Sequence, residues 1–465
     1  MRFRHAILGL LLAACSGAVQ AEQNVLFIIV DDLRPDLPVY GNDQVRAPHI
    51  ASLASEGVVF ANAYANVPVC GASRASFMSG LRPTTRRFLN YYSRLDEDAP
   101  DIAPLHSFLK ANGFHTESLG KVMHIKRDSL EGWSRAPWLP GDAVPKDIDT
   151  GFRNYQDPDN IAAFQNDGHG PSTEEVDVPD DAYFDGQIAD EAIAALARLK
   201  DADEQFFLAV GFVKPHLPFT APKKYWDLYE HDEIDLAANK VMPEGIPAQA
   251  RHSFGELRNY SDVPEEPGDV DDELARRLRH GYYASISYTD AQVGRVLQQL
   301  DALGLAESTI VVLIGDHGWS LGEHGLWAKH SPFDVATRTV AIVRSPGTGT
   351  PGVAEGLIEF VDLYPTLVEL LDLEPPAHLQ GESFVPMLQD PGAPGKEAVF
   401  PRWKNADVIK TPNEALTVWR NKQGKVQAQM LFDHDLDRAE NNNVADDPEY
   451  RLRLRELRAL LDEPR

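Results

Sequence analysis

Cysteine is nearly absent: the 465-residue chain has two, Cys15 and Cys70, which excludes a disulfide-rich scaffold. Basic residues are also scarce, 44 against 71 acidic ones, giving a net charge of −27. That charge argues against nucleic acid or an anionic membrane surface as the main partner. It still admits an anionic small substrate, because a local cluster of Lys, Arg and His, or a bound cation, reverses the field inside a pocket. Repeats and low-complexity tracts are missing, and 43% hydrophobic with 25% charged residues is ordinary for a globular protein. Disorder, collagen and coiled coil are thereby set aside. The length fits three ordinary domains, or equally one large α/β domain with a smaller piece.

The chain begins Met1-Arg2-Phe3-Arg4-His5 and then runs apolar from Ala6 to Ala14. A membrane-spanning helix needs about 20 apolar residues, so this basic flank and short apolar run read as an export signal. Two processing modes fit. One is cleavage after Val19-Gln20-Ala21; the other treats Leu12-Ala13-Ala14-Cys15 as a bacterial lipobox, with Cys15 carrying a lipid anchor. The mature protein is expected in the periplasm or outside the cell, soluble or as an outer-membrane lipoprotein. It keeps Cys70 and has no second cysteine to pair with it. A lone cysteine in an oxidising compartment calls for a chemical explanation.

Asn24 to Val30 (NVLFIIV) is a continuous apolar run that stops at Asp31-Asp32. This is the pattern of a strand buried on both faces, with acids at its carboxyl end. Gln205 to Val213 and Thr309 to Gly315 repeat it, the second followed by Asp316-His317-Gly318. Val58 to Tyr64, Phe114 to Leu119 and Val340 to Val343 read as further strands. Helices are expected over Pro48 to Glu56, Pro104 to Asn112, Asp272 to Leu303 and Asp362 to Leu371. Strands alternating with helices predict an α/β fold, a large mostly parallel sheet sandwiched by helices. In such a fold the site lies outside the carboxyl ends of the strands.

Asp128 to Tyr183 reads as long irregular loops of the kind that rim a binding site. A Pro- and Gly-rich stretch, Glu374 to Gly395, marks a boundary. Beyond it, a hairpin (Leu416 to Arg420 with Val426 to Phe432) and a charged helix (Pro448 to Leu461) predict a smaller α+β subdomain. The expected divisions are a signal peptide over 1–21, a catalytic domain over 22–391 and a C-terminal subdomain over 392–465.

Paired acids after one strand are most often a helix cap or a solvated turn. Asp31-Asp32 and Asp316-His317, after two separate buried strands, say more. Oxygen-rich clusters suit hard cations such as Ca²⁺ or Mg²⁺, and crowded carboxylates without a cation repel one another. Imidazole is the less usual ligand there, which sets His317 apart. Cys70 opens Cys70-Gly71-Ala72-Ser73-Arg74, either as a small buried residue at a helix start or as a nucleophile. A helix N-terminus with Arg74 one turn on predicts a lowered thiol pKa.

This segment resembles the type I sulfatase signature, Cys-x-Pro/Ala-Ser-Arg, whose cysteine is converted to Cα-formylglycine. Five blocks look like the iduronate-2-sulfatase branch of the alkaline-phosphatase-like superfamily. They are NVLFIIVDDLRPDLPVYG at 24–41, VCGASRASFMSGLRP at 69–83, GKVMH at 120–124, VKPHLPF at 213–219 and GDHGWSLGEHGLWAKH at 315–330. The resemblance implies a sulfuric ester hydrolase acting on a sulfated carbohydrate, with a 2-O-sulfated uronate among the candidates. It implies one Ca²⁺ held by Asp31, Asp32, Asp316, His317 and residue 70, and a formylglycine hydrate as nucleophile.

By the same resemblance Arg74 steadies the formylglycine hydroxyl, and Lys121 and Lys329 hold sulfate oxygens. His124 lies near the diol, and His216 protonates the leaving alkoxide. A formylglycine-generating enzyme or an anaerobic sulfatase-maturating enzyme is an implied partner. Ala72 stands where the oxygen-dependent maturase favours Pro and suits the anaerobic one better; Leu81 replaces a frequent Arg.

Taken singly, Lys121 and Lys329 read better as solvated surface lysines, His124 as a core histidine and Lys214-Pro215-His216 as an ordinary turn; in register with the signature they form a set. Two readings compete. A phosphomonoesterase or phosphonate hydrolase shares the tetrahedral-anion geometry, and zinc dependence would favour it. A glycan-binding protein with a decayed site is opposed by the intact ligand, lysine and histidine set. His324, Trp327 and His330 share the Lys329 loop and read equally as rim or packing residues, while Arg34 reads as structural.

Overall fold

The computed structural model describes residues 23–140, 153–265 and 270–464; the export segment, with Cys15, lies outside the described residues. An eight-stranded sheet forms the centre of the molecule. Its strands are β1 (Asn24–Val30), β2 (Val58–Tyr64), β3 (His115–Gly120), β4 (Phe206–Phe212), β5 (Thr309–Gly315), β6 (Arg338–Thr339), β7 (Ala341–Arg344) and β8 (Gly352–Glu359). β3, β4, β1 and β5 are successive neighbours and all parallel. β7 runs antiparallel between β5 and β2, and β8 lies parallel to β2. The expected large, mostly parallel sheet is therefore present.

Every residue of β1, β4 and β5 is buried, as their unbroken apolar runs require. Successive side chains alternate between faces. Leu26, Ile28 and Val30 join a core shared with α1 (Pro48–Glu56), α3 (Phe184–Ala202) and α4 (Asp272–Ala302). Val25, Phe27 and Ile29 join the opposite core, shared with α2 (Cys70–Ser79) and α5 (Leu363–Leu370). Burying one such aliphatic side chain contributes about 1.5–3 kcal/mol, so each face needs its own helical layer.

Helix α3 is not among the helices read from the sequence. Its buried face mixes Ala189, Ala192 and Ala195 with Ile188, Leu196 and Leu199, and the alanines weaken the apolar signal. The stretch read as irregular also holds structure. Helix Pro158–Asp167 starts where the Asp157 carboxylate accepts from the Asp159 and Asn160 amides, and Thr173–Val176 pairs with Phe219–Pro222. Residues 141–152 of that stretch lie outside the described residues.

At the C-terminus four antiparallel strands, β9 (Arg402–Trp403), β10 (Ala406–Lys410), β11 (Glu414–Arg420) and β12 (Val426–Asp433), extend the expected hairpin. Helix α6 (Arg451–Leu461) covers them through Leu454, Leu457 and Leu461. The buried Lys410 ammonium anchors this subdomain, lying 3.0 Å from Asp334 and 3.5 Å from Glu440.

Candidate active site

Because β5, β1, β4 and β3 are neighbours, their carboxyl ends deliver four chemistry-bearing segments to one edge of the sheet. β5 leads into Asp316-His317, β1 into Asp31-Asp32, β4 into Lys214-Pro215-His216 and β3 into Lys121 through His124. Glycine makes the convergence possible. A Cβ on Gly211 would lie 2.1 Å from the Lys121 carbonyl, and one on Gly315 would lie 2.1 Å from the Leu33 oxygen.

Cys70 is the first residue of α2, with Arg74 on the next turn. Its Sγ lies 3.3 Å from His317 Nε2 and 3.8 Å from Asp32 Oδ1. Fully buried Arg74 ties two strand ends together, through Nε to Asp316 Oδ2 and Nη2 to Asp31 Oδ1, both at 2.9 Å. It also donates to the Lys121 and Val122 carbonyls. Lys121 Nζ pairs with Asp31. Lys329 Nζ lies 2.9 and 3.0 Å from the two Asp32 oxygens.

These pairings set the charge states. Burial would raise the Asp31 carboxyl, but Lys121 and Arg74 hold it well below the usual carboxylate range. Burial depresses the His124 imidazole strongly, and Lys121 adds to the effect. Neither ring nitrogen of His124 has a hydrogen-bond partner among the described residues. The Cys70 thiol departs from expectation: burial and Asp31 push it well above its usual value. The guanidinium expected to lower it is committed to Asp31 and Asp316.

The donor set fits a hard cation. Ligand atoms of Asp31, Asp32, Cys70 and His216 lie within 4.8 Å of one another, as do those of Cys70, Asp316 and His317. Three buried carboxylates dominate, the donor chemistry that Ca²⁺ prefers.

Cys70, His124, His216 and Lys329 line a cavity of ≈ 260 Å³. Its wall adds residues the sequence did not single out: Tyr91, Arg153, Leu217, Glu256, Asn259 and Tyr260. Glu256 accepts from Lys329 Nζ at 2.9 Å and lies 3.2 Å from His216 Nε2. Burial would raise its carboxyl, yet Lys329 and His216 hold it well down. No motif marks Glu256; it comes from an irregular segment. Of the three undecided loop residues, His330 lines the cavity. Buried His324 instead meets Asn239 and the Ala439 carbonyl, and Trp327 is buried beside Leu321. Arg34 pairs with Asp36 and Glu323 outside the cavity, a structural role.

A family model described as Sulfatase matches residues 23–373, and one described as N-sulphoglucosamine sulphohydrolase, C-terminal, matches residues 322–465. Iduronate 2-sulfatase of Homo sapiens is 37% identical over 392 residues, covering 78% of this chain and 69% of that protein. A solved structure of a protein with its substrate D-glucosamine-2-N,6-O-disulfate superposes with a TM-score of 0.75 at 20% identity. It covers 95% of this chain and 97% of that one. Phosphonate monoester hydrolase from Silicibacter pomeroyi gives a TM-score of 0.76 at 22% identity, covering 95% and 94%. These two likenesses establish the shared fold.

Proposed function

From the premise that the chain belongs to the sulfatase family and is a sulfuric ester hydrolase, we propose that it removes sulfate from a sulfated sugar. The observation that carries this reading is the meeting of Cys70 with Asp31, Asp32, Asp316 and His317 beneath a cavity lined by Lys329, His124 and His216. Identity to iduronate 2-sulfatase supports a 2-O-sulfated uronate as the substrate group. Residues 22–391 carry the reaction, and residues 392–465 form the appended subdomain. The proposed enzyme is exported to the periplasm or beyond, soluble or anchored by lipid at Cys15.

Asp31, Asp32, Asp316, His317 and residue 70 would hold one Ca²⁺, which supplies positive charge beside the reacting oxygens. Conversion of Cys70 to formylglycine, by a generating or anaerobic maturating enzyme, would supply a hydrated aldehyde whose hydroxyl, giving its proton to a neighbouring carboxylate, would attack sulfur as the bond to the sugar oxygen breaks. Arg74, which ties Asp31 to Asp316, steadies that hydroxyl. Lys121 and Lys329 hold the sulfate oxygens as negative charge builds on them. His216, at the cavity wall, gives its proton to the leaving sugar oxygen. The second hydroxyl of residue 70, near His124, then loses its proton to solvent, so that sulfate is expelled and the aldehyde restored.

Mass spectrometry of the peptide containing residue 70, with turnover of 4-nitrophenyl sulfate, tests the proposal. Unmodified cysteine in a protein that hydrolyses sulfate esters would overturn the nucleophile. Turnover of phosphate or phosphonate monoesters without sulfate esters would overturn the substrate class.

A further inference from the structure

Arg153 is a cation of the cavity wall that the proposed reaction leaves unused. Lys329, paired with Asp32 and Glu256, Lys121, paired with Asp31, and Arg74, paired with Asp31 and Asp316, already have roles in that reaction. Among the described residues no carboxylate pairs with Arg153. An arginine facing a cavity, with no carboxylate partner among the described residues, is placed to receive an anion from outside.

The side chain is held ready. Its Nη1 donates to the Gly168 carbonyl at 3.0 Å, and its Cζ lies 5.1 Å from the Tyr260 ring centre and 5.4 Å from that of Phe164. Aromatic contacts on a guanidinium restrict its plane while leaving N–H groups at its edge to donate. Asn259 stands in the same wall, its backbone carbonyl bonded to His169 and its side-chain amide without a partner among the described residues. A planar fork beside an uncommitted amide is suited to two oxygens of one anionic group.

We propose that Arg153, with Asn259 beside it, binds a second anionic group on the sugar whose sulfate ester is cleaved. That group is a carboxylate or another sulfate, and the inference rests on the sulfatase reading. The selectivity it confers is for doubly charged sugars, because a neutral substituent gains no charge-assisted hydrogen bond from the guanidinium.

The test compares three sugar substrates in wild type, Arg153→Ala and Arg153→Lys. One carries a single sulfate ester, one adds a carboxylate to the same ring, and one adds a second sulfate. Charge-assisted hydrogen bonds typically contribute about 10- to 100-fold, so the kcat/KM preference for a doubly charged sugar should fall by that factor in Arg153→Ala. The loss should lie mainly in KM, and Arg153→Lys should recover part of it, keeping the charge but not the fork. Whichever doubly charged substrate loses its preference identifies the group bound. Misfolding would lower all three rates together and leave the ratios intact. Turnover with an unchanged preference overturns this proposal alone; no turnover of any sulfate ester overturns the sulfatase reading and this proposal with it.

Discussion

Cys70 Sγ lies 3.3 Å from His317 Nε2, although 247 positions separate the two residues in the chain. The first residue of α2 and the segment after β5 thus meet at one point, where Asp31 and Asp32 also arrive from β1. A side chain so placed is expected to be the reacting group rather than packing.

Replacing Cys70 by Ala or Ser should therefore reduce turnover of an aryl sulfate to background. The circular dichroism spectrum should stay unchanged, because the substitution removes or exchanges one small buried atom. Full activity in Cys70→Ala would end the sulfatase mechanism proposed above.

Chelation should inactivate the enzyme, and Ca²⁺ should restore it better than Zn²⁺. The ligand set is mainly carboxylate oxygen, which suits a hard cation. Activity assays on metal-depleted protein decide the matter; recovery with zinc alone would favour a phosphatase-like reaction.

His216→Ala should harm sugar sulfates far more than 4-nitrophenyl sulfate. A sugar alkoxide needs a proton as the S–O bond breaks, whereas a nitrophenolate leaves unaided. General-acid help is typically about 10²- to 10⁴-fold, so kcat/KM on the sugar should drop by that order. Equal losses on both substrates would mean that His216 shapes the cavity instead of donating the proton.

Lys410→Ala should lower stability and Tm. It would strip the buried Asp334 and Glu440 carboxylates of their ammonium partner. Removing one member of a buried ion pair costs about 3–5 kcal/mol. Denaturant unfolding measures the loss, and Lys410→Met, equally uncharged, should show one of similar size.

Glu323 adds an acid limb to the stability profile. Burial would raise its carboxyl, but Arg34 and Arg279 outweigh burial and bring it from 4.5 to about 2. A carboxyl depressed on folding stabilises the native state above pH 4.5, and that contribution is lost as pH falls towards 2. Urea unfolding across this range should show a shallower decline in Glu323→Gln than in wild type.

The sequence alone determined the central parallel strands and the acids at their carboxyl ends. After their polar first residues, Asn24 and Thr309, NVLFIIV and TIVVLIG are apolar throughout, which a strand covered on both sides tolerates, and the polar residues that follow leave the sheet at its carboxyl edge. Lys121, His124, His216 and Lys329 were legible only in register with a known signature, since a single lysine or histidine carries no local mark of its surroundings. Helix α3 escaped notice because alanine supplies little periodic contrast. Tertiary structure alone decided which residues wall the cavity. Glu256, Asn259 and Arg153 come from irregular segments without pattern, and long-range packing brings them to the site. It also decided the charge of Cys70. Helix start and nearby arginine suggest a lowered thiol pKa, but folding commits Arg74 to Asp31 and Asp316 and buries the sulfur beside a carboxylate, so the thiol is pushed up. Local sequence names the groups; burial and the partners brought by the fold set their charge.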